Sequence, residues 1–414
     1  MKASSTSERA PSLAFLWDES FLWGIMAYRA LEAAGLPFRL VRADEVRNGC
    51  LERCSVLFVP GGWASNKIKA LGPGGIEAVR RFVEGGGTYI GFCGGAGLAT
   101  MDGMGLLPVR RRPTKERVPS FSGPISLSLG EHPLWQGITE PIFHAWWPSQ
   151  FVVDGGVSVL ARYDEALPEA FSSDINVGDA RSAGNWADLE RTYGINLDPQ
   201  RLAGEPAVLE GTFGRGRVLL SLVHFDTPDD LKGGSVLRNI WSHATGCALP
   251  FGTQGPASAV ERSSSSDADV LADLVTEVNG LIDLGSRNFL WFRRNPWLLQ
   301  WRRGVRGLEY CTLQVMVKEI NGLLQQGEGT PAGIDKKLDR VRSLLLPFGE
   351  SAKRLLVKER FAMQNDHITY ERCDDPDIRS LRDKLFSTSK SHGGMFKEVA
   401  NALDELLYAL LADS

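Results

Sequence analysis

Over the first 110 residues, short apolar runs alternate with stretches of helical periodicity. Residues 13–17, 37–41, 55–59 and 88–91 are the runs. Between them Phe21, Leu22, Ile25, Met26, Leu31 and Ala34 recur at helical spacing before Gly35. Ile76, Val79, Phe82 and Val83 do the same over 74–84, and residues 96–101 read as a further helix. Buried strands separated by helices predict βαβ units and a parallel sheet. Ligands of such sheets sit at the C-terminal ends of the strands. From 121 to 250 the chain is strand-rich, with runs at 125–129, 151–153, 157–161, 207–209 and 217–223. A polar stretch over 164–205 reads as an insertion with a short helix at 186–193, and 238–245 as a closing helix.

Residues 252–268 are small and polar, with four consecutive Ser, and predict a linker. Beyond it the pattern is helical. Leu271, Leu274, Val275, Val278, Leu281 and Ile282 form one stripe. Leu298, Trp301, Val305, Leu308, Val315, Ile320 and Leu323 form a second. Ile334, Leu338, Val341 and Leu345 form a third, kinked or ended at Pro347. Phe396, Val399, Leu403, Leu406 and Leu410 form a fourth. Four stripes predict an antiparallel helical bundle. The expected organisation is a frayed tail at 1–11, an α/β domain at 12–251, the linker at 252–268 and an all-α bundle at 269–414.

Composition changes this picture in two places. Gly is high, 45 of 414 residues, against a usual ~7%. Gly61, Gly62, Gly91, Gly94, Gly95 and Gly97 all fall where a strand meets a loop. The net charge of -4 gives no general basic character, so a nucleic-acid partner is not expected. It nevertheless conceals residues 287–306, which hold six Arg, no acid, and Phe289, Trp291, Phe292, Trp297 and Trp301. Three readings compete there: an anionic membrane surface, a protein partner or self-association through Trp291, Trp297 and Trp301, or bundle packing with Arg outward. Pro296 argues against one long surface helix. Six scattered Cys do not form a disulfide framework, the N-terminus lacks a secretory signal and no apolar run is long enough to span a membrane, so a cytoplasmic protein is expected. Cys50 and Cys54 lack a second pair or a nearby His, and no metal or cofactor is expected.

Gly91-Phe92-Cys93-Gly94-Gly95 has the form G-x-C-x-G between a predicted strand and a predicted helix. That is the pattern of a nucleophile elbow. A helix N-terminus beneath Cys93 favours a thiolate. Val59-Pro60-Gly61-Gly62 ends the preceding strand. Amides of Gly62 and Gly94 could together form an oxyanion hole. His224 follows a fully apolar strand, with Asp226 two residues on, which suits a base and its orienter. Gly61, Trp63, Gly95, His144, Trp146 and Trp147 are candidate pocket residues. Aromatic packing under loops is the competing reading for the three Trp.

On these residues the sequence resembles the class I glutamine amidotransferase-like superfamily. It is most similar to the domain at the N-terminus of eukaryotic biotin-protein ligases and its free-standing bacterial relatives. The resemblance spans about 12–250. It rests on Val-Pro-Gly-Gly at 59–62, Tyr-Ile-Gly-Phe-Cys-Gly-Gly-Ala at 89–96, and the strand ending at His224. It implies a flavodoxin-like, doubly wound, mostly parallel sheet, with Cys93 as nucleophile and His224 as base. The family usually reads His-Pro-Glu where this chain has His-Phe-Asp, which places the carboxylate on Asp226, one methylene shorter. Gly-Arg-Gly-Arg at 214–217 echoes a biotin ligase catalytic loop, but Val-Leu-Leu-Ser follows and a hairpin turn is expected. No phosphate-binding G-x-x-x-x-G-K-[ST] accompanies it. Two functions remain open. One is a cysteine-dependent amidase or amidotransferase-like enzyme acting on a small-molecule or peptide amide. The other is a degenerate binding scaffold whose helical domain meets a protein partner.

Overall fold

The computed structural model describes residues 12–247, 249, 265–326, 333–365, 373–388 and 391–412. The chain divides into two compact units, Met1–Thr253 and Gln254–Ser414. The expected tail at 1–11 and most of the expected linker lie outside the described residues.

The first unit opens with β1 (Leu13–Leu16), α1 (Leu22–Ala33), β2 (Phe38–Val41), α2 (Ala43–Arg47), β3 (Val56–Val59), α3 (Ala64–Glu84), β4 (Thr88–Phe92) and α4 (Gly94–Ala99). Every residue of β1, β3 and β4 is buried. Both faces of these strands are covered, so they read as continuous apolar runs rather than alternating ones. The helix read over 74–84 is longer than its periodicity suggested. It begins at Ala64 and breaks at Gly72, φ 60° and ψ 179°, with Pro73 starting the second segment. Pro is tolerated there because the first helical N–H has no partner in any case.

The strand-rich region supplies β5 (Val109–Arg111), β6 (Phe121–Leu129), β7 (Ile142–Trp146), β8 (Phe151–Val153), β9 (Ser158–Ala166), β10 (Phe171–Ser172), β11 (Ile175–Asn176), β12 (Pro206–Phe213) and β13 (Gly216–Ser221). The polar insertion carries α5 (Val177–Ala183) and α6 (Trp186–Tyr193), and α7 (Leu231–Thr245) closes the unit. That closing helix starts seven residues earlier than its apolar pattern indicated, where Asp230 accepts the amides of Lys232 and Gly233, both at 3.0 Å. Gly214, φ 60°, opens the tight turn between β12 and β13, so Gly-Arg-Gly-Arg is a hairpin.

Eleven strands form one mixed sheet. Neighbours β2, β1, β3, β4 and β13 run parallel. From β13 the sheet continues antiparallel through β12, β9 and β6, which also pairs with β7 and β10, and β10 with β11. β5 and β8 pair separately. Because β1, β3, β4 and β13 are parallel, the loops that follow them gather at one end of the sheet. Residues 17–21, 60–63, 93 and 222–227 therefore become neighbours.

The second unit is mainly helical: α8 (Ser265–Arg287), α9 (Gly307–Gln326), α10 (Ile334–Gln364), α11 (Pro376–Phe386) and α12 (Gly394–Ala412). Tyr310, Phe348, Phe386 and Phe396 meet in its core. Glu359 is buried and pairs with Arg382 at 2.8 Å. One expectation is corrected here. The stripe placed at 298–323 is not one helix, because β14 (Trp291–Arg293) and β15 (Leu299–Trp301) form an antiparallel hairpin before α9 begins. Trp291 is interior: its indole donates to Ile282 O at 2.9 Å, and it packs so tightly on Gly285 that a Cβ there would lie 2.0 Å from the ring. Of the two readings at Pro347, a kink or an end, the end is excluded: α10 runs through it, with Val341, Leu345, Phe348 and Ala352 buried on both sides. α11 carries no stripe among the four that were read. Among the described residues no helix is long and apolar enough to cross a membrane.

Candidate functional site

Cys93 occupies the turn between β4 and α4 with φ 48° and ψ −103°. L-residues avoid such angles, which cost of order 1–3 kcal/mol. The turn is held rather than relaxed: Cys93 N donates to Ser221 O at 2.7 Å, and Gly97 N donates to Cys93 O at 2.9 Å. Only glycine fits at the two positions that follow. A Cβ on Gly94 would sit 1.8 Å from Gly62 O, and one on Gly95 2.0 Å from Val59 O. The double-Gly loop after β3 is thus pressed directly onto the elbow. Gly95→Ala is expected to unfold or severely destabilise the unit, by roughly 3 kcal/mol or more, as read from a urea melt. A well-folded variant with unchanged midpoint would contradict this packing.

The same contact brings the two proposed amide donors together, since Gly62 N lies 3.0 Å from where the Gly94 Cβ would be. Gly94 is the first residue of α4, so its amide has no intrahelical acceptor.

His224 and Asp226 are both 1% exposed. β13 ends at Ser221, three residues before His224, earlier than the apolar run implied. The Ser221 hydroxyl donates to Val223 O at 2.6 Å and accepts from Val223 N at 3.1 Å, which turns the chain. His224 N then donates to His144 O at 2.8 Å in an isolated antiparallel bridge. The ring's Nδ1 is 2.8 Å from Asp226 Oδ1. The shorter carboxylate of His-Phe-Asp therefore reaches its imidazole. His224 Nε2 and Asp226 Oδ2 have no hydrogen-bond partner among the described residues. Burial works against a charged His224, but the Asp226 carboxylate beside it, with the Cys93 thiol adding to the effect, raises its pKa to about 10.

Cys93 is half-buried, and its Sγ lies 3.8 Å from the backbone oxygen of Trp146. Of the other candidates, Gly61 permits a close approach: a Cβ there would meet Trp23 at 3.1 Å and His224 Cε1 at 3.2 Å. His144 stacks on Trp146, ring centroids 5.0 Å apart. The Trp146 indole donates to Thr227 Oγ1 at 3.3 Å, and the Thr227 hydroxyl donates to His224 O at 3.0 Å. Trp146 is fully buried and braces the His224 loop. Trp147 has φ 48° and meets Trp23 edge-on. Trp63 precedes the first residue of α3 as its N-cap and is 39% exposed.

Several neighbours carried no sequence signal of function. Trp23 lies over His224 with ring centroids 5.2 Å apart. Lys67 is fully buried and donates to Asp18 O at 3.0 Å and Ser20 Oγ at 2.5 Å, tying the loop after β1 to α3. Glu19 and Phe21 in that loop also have positive φ, 57° and 46°. Strain is thus concentrated around Cys93. Burial lowers the Arg117 pKa, Arg111 adds to this, and the Cys93 sulfur opposes it. Burial likewise raises that of Tyr163, with Cys93 adding to the effect. Both side chains are therefore within electrostatic reach of the sulfur.

Residues 41–102 match the family described as biotin-protein ligase, N terminal. The resemblance read from the sequence stands on that segment, which holds both the double-Gly loop and the elbow. A comparison with curated proteins gives no match. Among solved structures, PurLQS from Thermotoga maritima is similar over 56% of this chain and 98% of its own, at 16% identity and a TM-score of 0.39. A putative GMP synthase subunit from Thermoplasma acidophilum is similar over 57% and 96%, at 11% identity and 0.38. A putative ThuA-like protein from Bacteroides uniformis is similar over 59% and 95%, at 12% and 0.34. These likenesses are loose.

Proposed function

We propose that the first unit is a cysteine-dependent acyl-transfer enzyme of amidotransferase type, acting on an amide. The observation that carries this is the strained Cys93 elbow beside a buried His224–Asp226 pair joined at 2.8 Å. We read the order β2–β1–β3–β4–β13 as flavodoxin-like, with the site at the C-terminal strand ends.

The raised pKa of His224 supports a resting state with the proton on the imidazole and the sulfur ready to attack. Cys93 Sγ adds to the amide carbonyl carbon, and the amides of Gly62 and Gly94 stabilise the oxyanion. The C–N bond breaks as His224 delivers its proton to the leaving nitrogen. Water, deprotonated by His224, then cleaves the thioester to a carboxylate; one proton passes to solvent and the starting sulfur–imidazolium pair is restored. Asp226 keeps Nδ1 protonated, so Nε2 faces the reaction. The second unit is read as an interaction module for a protein partner or a second copy. Phe289 and Phe292 are its exposed aromatics on the basic hairpin, with Trp297 and Trp301 half-buried. Cytoplasmic location agrees with six unpaired thiols.

A p-nitrophenyl ester tests the chemistry without knowledge of the natural substrate. The expected result is a burst of nitrophenol and an acyl mass on the Cys93 peptide. Absence of both, in folded protein, would leave the degenerate scaffold as the better reading.

A further inference from the structure

We propose that His132, Glu210 and His243 form a binding site for a divalent transition metal of the Zn2+ type, separate from Cys93. Three elements bring these side chains together: the turn after β6, strand β12, and the last turn of α7. His243 Nε2 lies 2.7 Å from Glu210 Oε1, and His132 Nε2 lies 3.4 Å from Glu210 Oε2. The imidazole centroids are 4.6 Å apart. One donor atom from each residue falls within 4.8 Å of the other two. Zn2+ binds imidazole nitrogen and carboxylate oxygen at about 2.0–2.2 Å, which places tetrahedral donors about 3.4 Å apart. The two imidazoles approach different oxygens of Glu210, one at 3.4 Å and the other closer at 2.7 Å, so the carboxylate lies between the two nitrogens as a shared ligand would.

The chemistry suits the ion as well. Two imidazoles and one carboxylate are the donors that borderline metals prefer. The three side chains keep 12–18% exposure, which leaves a fourth position for water. Arg217 stands behind the carboxylate, Nε 3.6 Å from Glu210 Oε1, and also donates to His243 O at 2.6 Å. A guanidinium there would orient the ligating carboxylate from outside. Binding through Nε2 of His132 moves its ring proton to Nδ1 and gives up the bond from the Leu134 amide, already long at 3.3 Å. The ion would pin α7, the helix that follows directly on the His224–Asp226 loop, to β12.

The test is a Co2+ titration of metal-stripped full chain, followed by displacement with Zn2+. One equivalent is expected, with a visible d–d band and no thiolate charge-transfer band, in wild type and Cys93→Ser alike. Glu210→Gln and His243→Gln should each weaken binding at least tenfold, and the double variant His132→Ala/His243→Ala should abolish it. Unchanged circular dichroism identifies the variants that remain folded, and the two Gln variants suffice if the double one does not. Failure of the wild type to saturate overturns the proposal. So does a band that survives in the variants, or one that carries thiolate character and disappears when the cysteines are alkylated. None of these readouts depends on acyl transfer at Cys93.

Discussion

Cys93→Gly is expected to abolish acyl transfer and at the same time to stabilise the first unit. Loss of the nucleophile removes the covalent route, and a drop on the order of 10⁴-fold or more follows for groups that act as a unit. The gain in stability comes from the backbone. At φ 48° and ψ −103° a Cβ is strained, by roughly 1–3 kcal/mol, whereas glycine adopts these angles freely. Against this, glycine adds conformational entropy to the unfolded chain, about 0.4–1 kcal/mol. The sulfur's contact to Trp146 O is long, at 3.8 Å, and its interaction with His224 is lost as well, which trims the gain. A net gain of about 1 kcal/mol is expected in a urea melt. Cys93→Ala separates the two effects, because it removes the sulfur and keeps the strain. It should be as inactive as the Gly variant and less stable. A Gly variant less stable than the Ala variant would mean that the elbow stores no strain, and a surviving burst would rule out Cys93 as nucleophile.

That strain was legible before any coordinates, since G-x-C-x-G between an apolar run and a helix demands a turn with no room for side chains. The strands that frame it were legible for a related reason. Complete burial of β1, β3 and β4 leaves no polar alternation to blur them. Asp226 could be nominated from its spacing to His224, but only the turn made by Ser221 shows that the shorter carboxylate reaches Nδ1. Trp23 was invisible as a site residue because its apolar ring at helical spacing is indistinguishable from core. It is the parallel order β1–β3–β4–β13 that carries the start of α1 to His224. The hairpin at 291–301 was misread because Leu298, Trp301, Val305 and Leu308 fall three or four residues apart. Periodicity cannot report that Trp291 pairs across from Trp301 and seats against Gly285. The His132, Glu210 and His243 group had no local pattern at all, as its members lie on three elements.

Asp226→Asn should reveal how far the buried pair sets both rate and stability. The amide can still hold the ring, but it carries no charge to balance an imidazolium. Without that balance burial governs, and the variant's imidazole is pushed towards its neutral form and the wrong tautomer. The ester-acylation rate should fall by about 10²–10⁴-fold at neutral pH. Stability carries the second signature. In the wild type the His224 pKa is raised, from an ordinary 6.5 to about 10. A group with a raised folded value contributes stability that is complete below pH 6.5 and is lost as pH climbs towards 10. Denaturant midpoints of the wild type should therefore decline across that window. In Asp226→Asn the decline should flatten or reverse, because the folded state no longer binds the proton more tightly than the unfolded one. Subtracting the two profiles cancels every other titrating group that the substitution leaves alone. Parallel profiles would show that Asp226 does not hold the proton on His224. A normal acylation rate in the variant would show that the pair is structural.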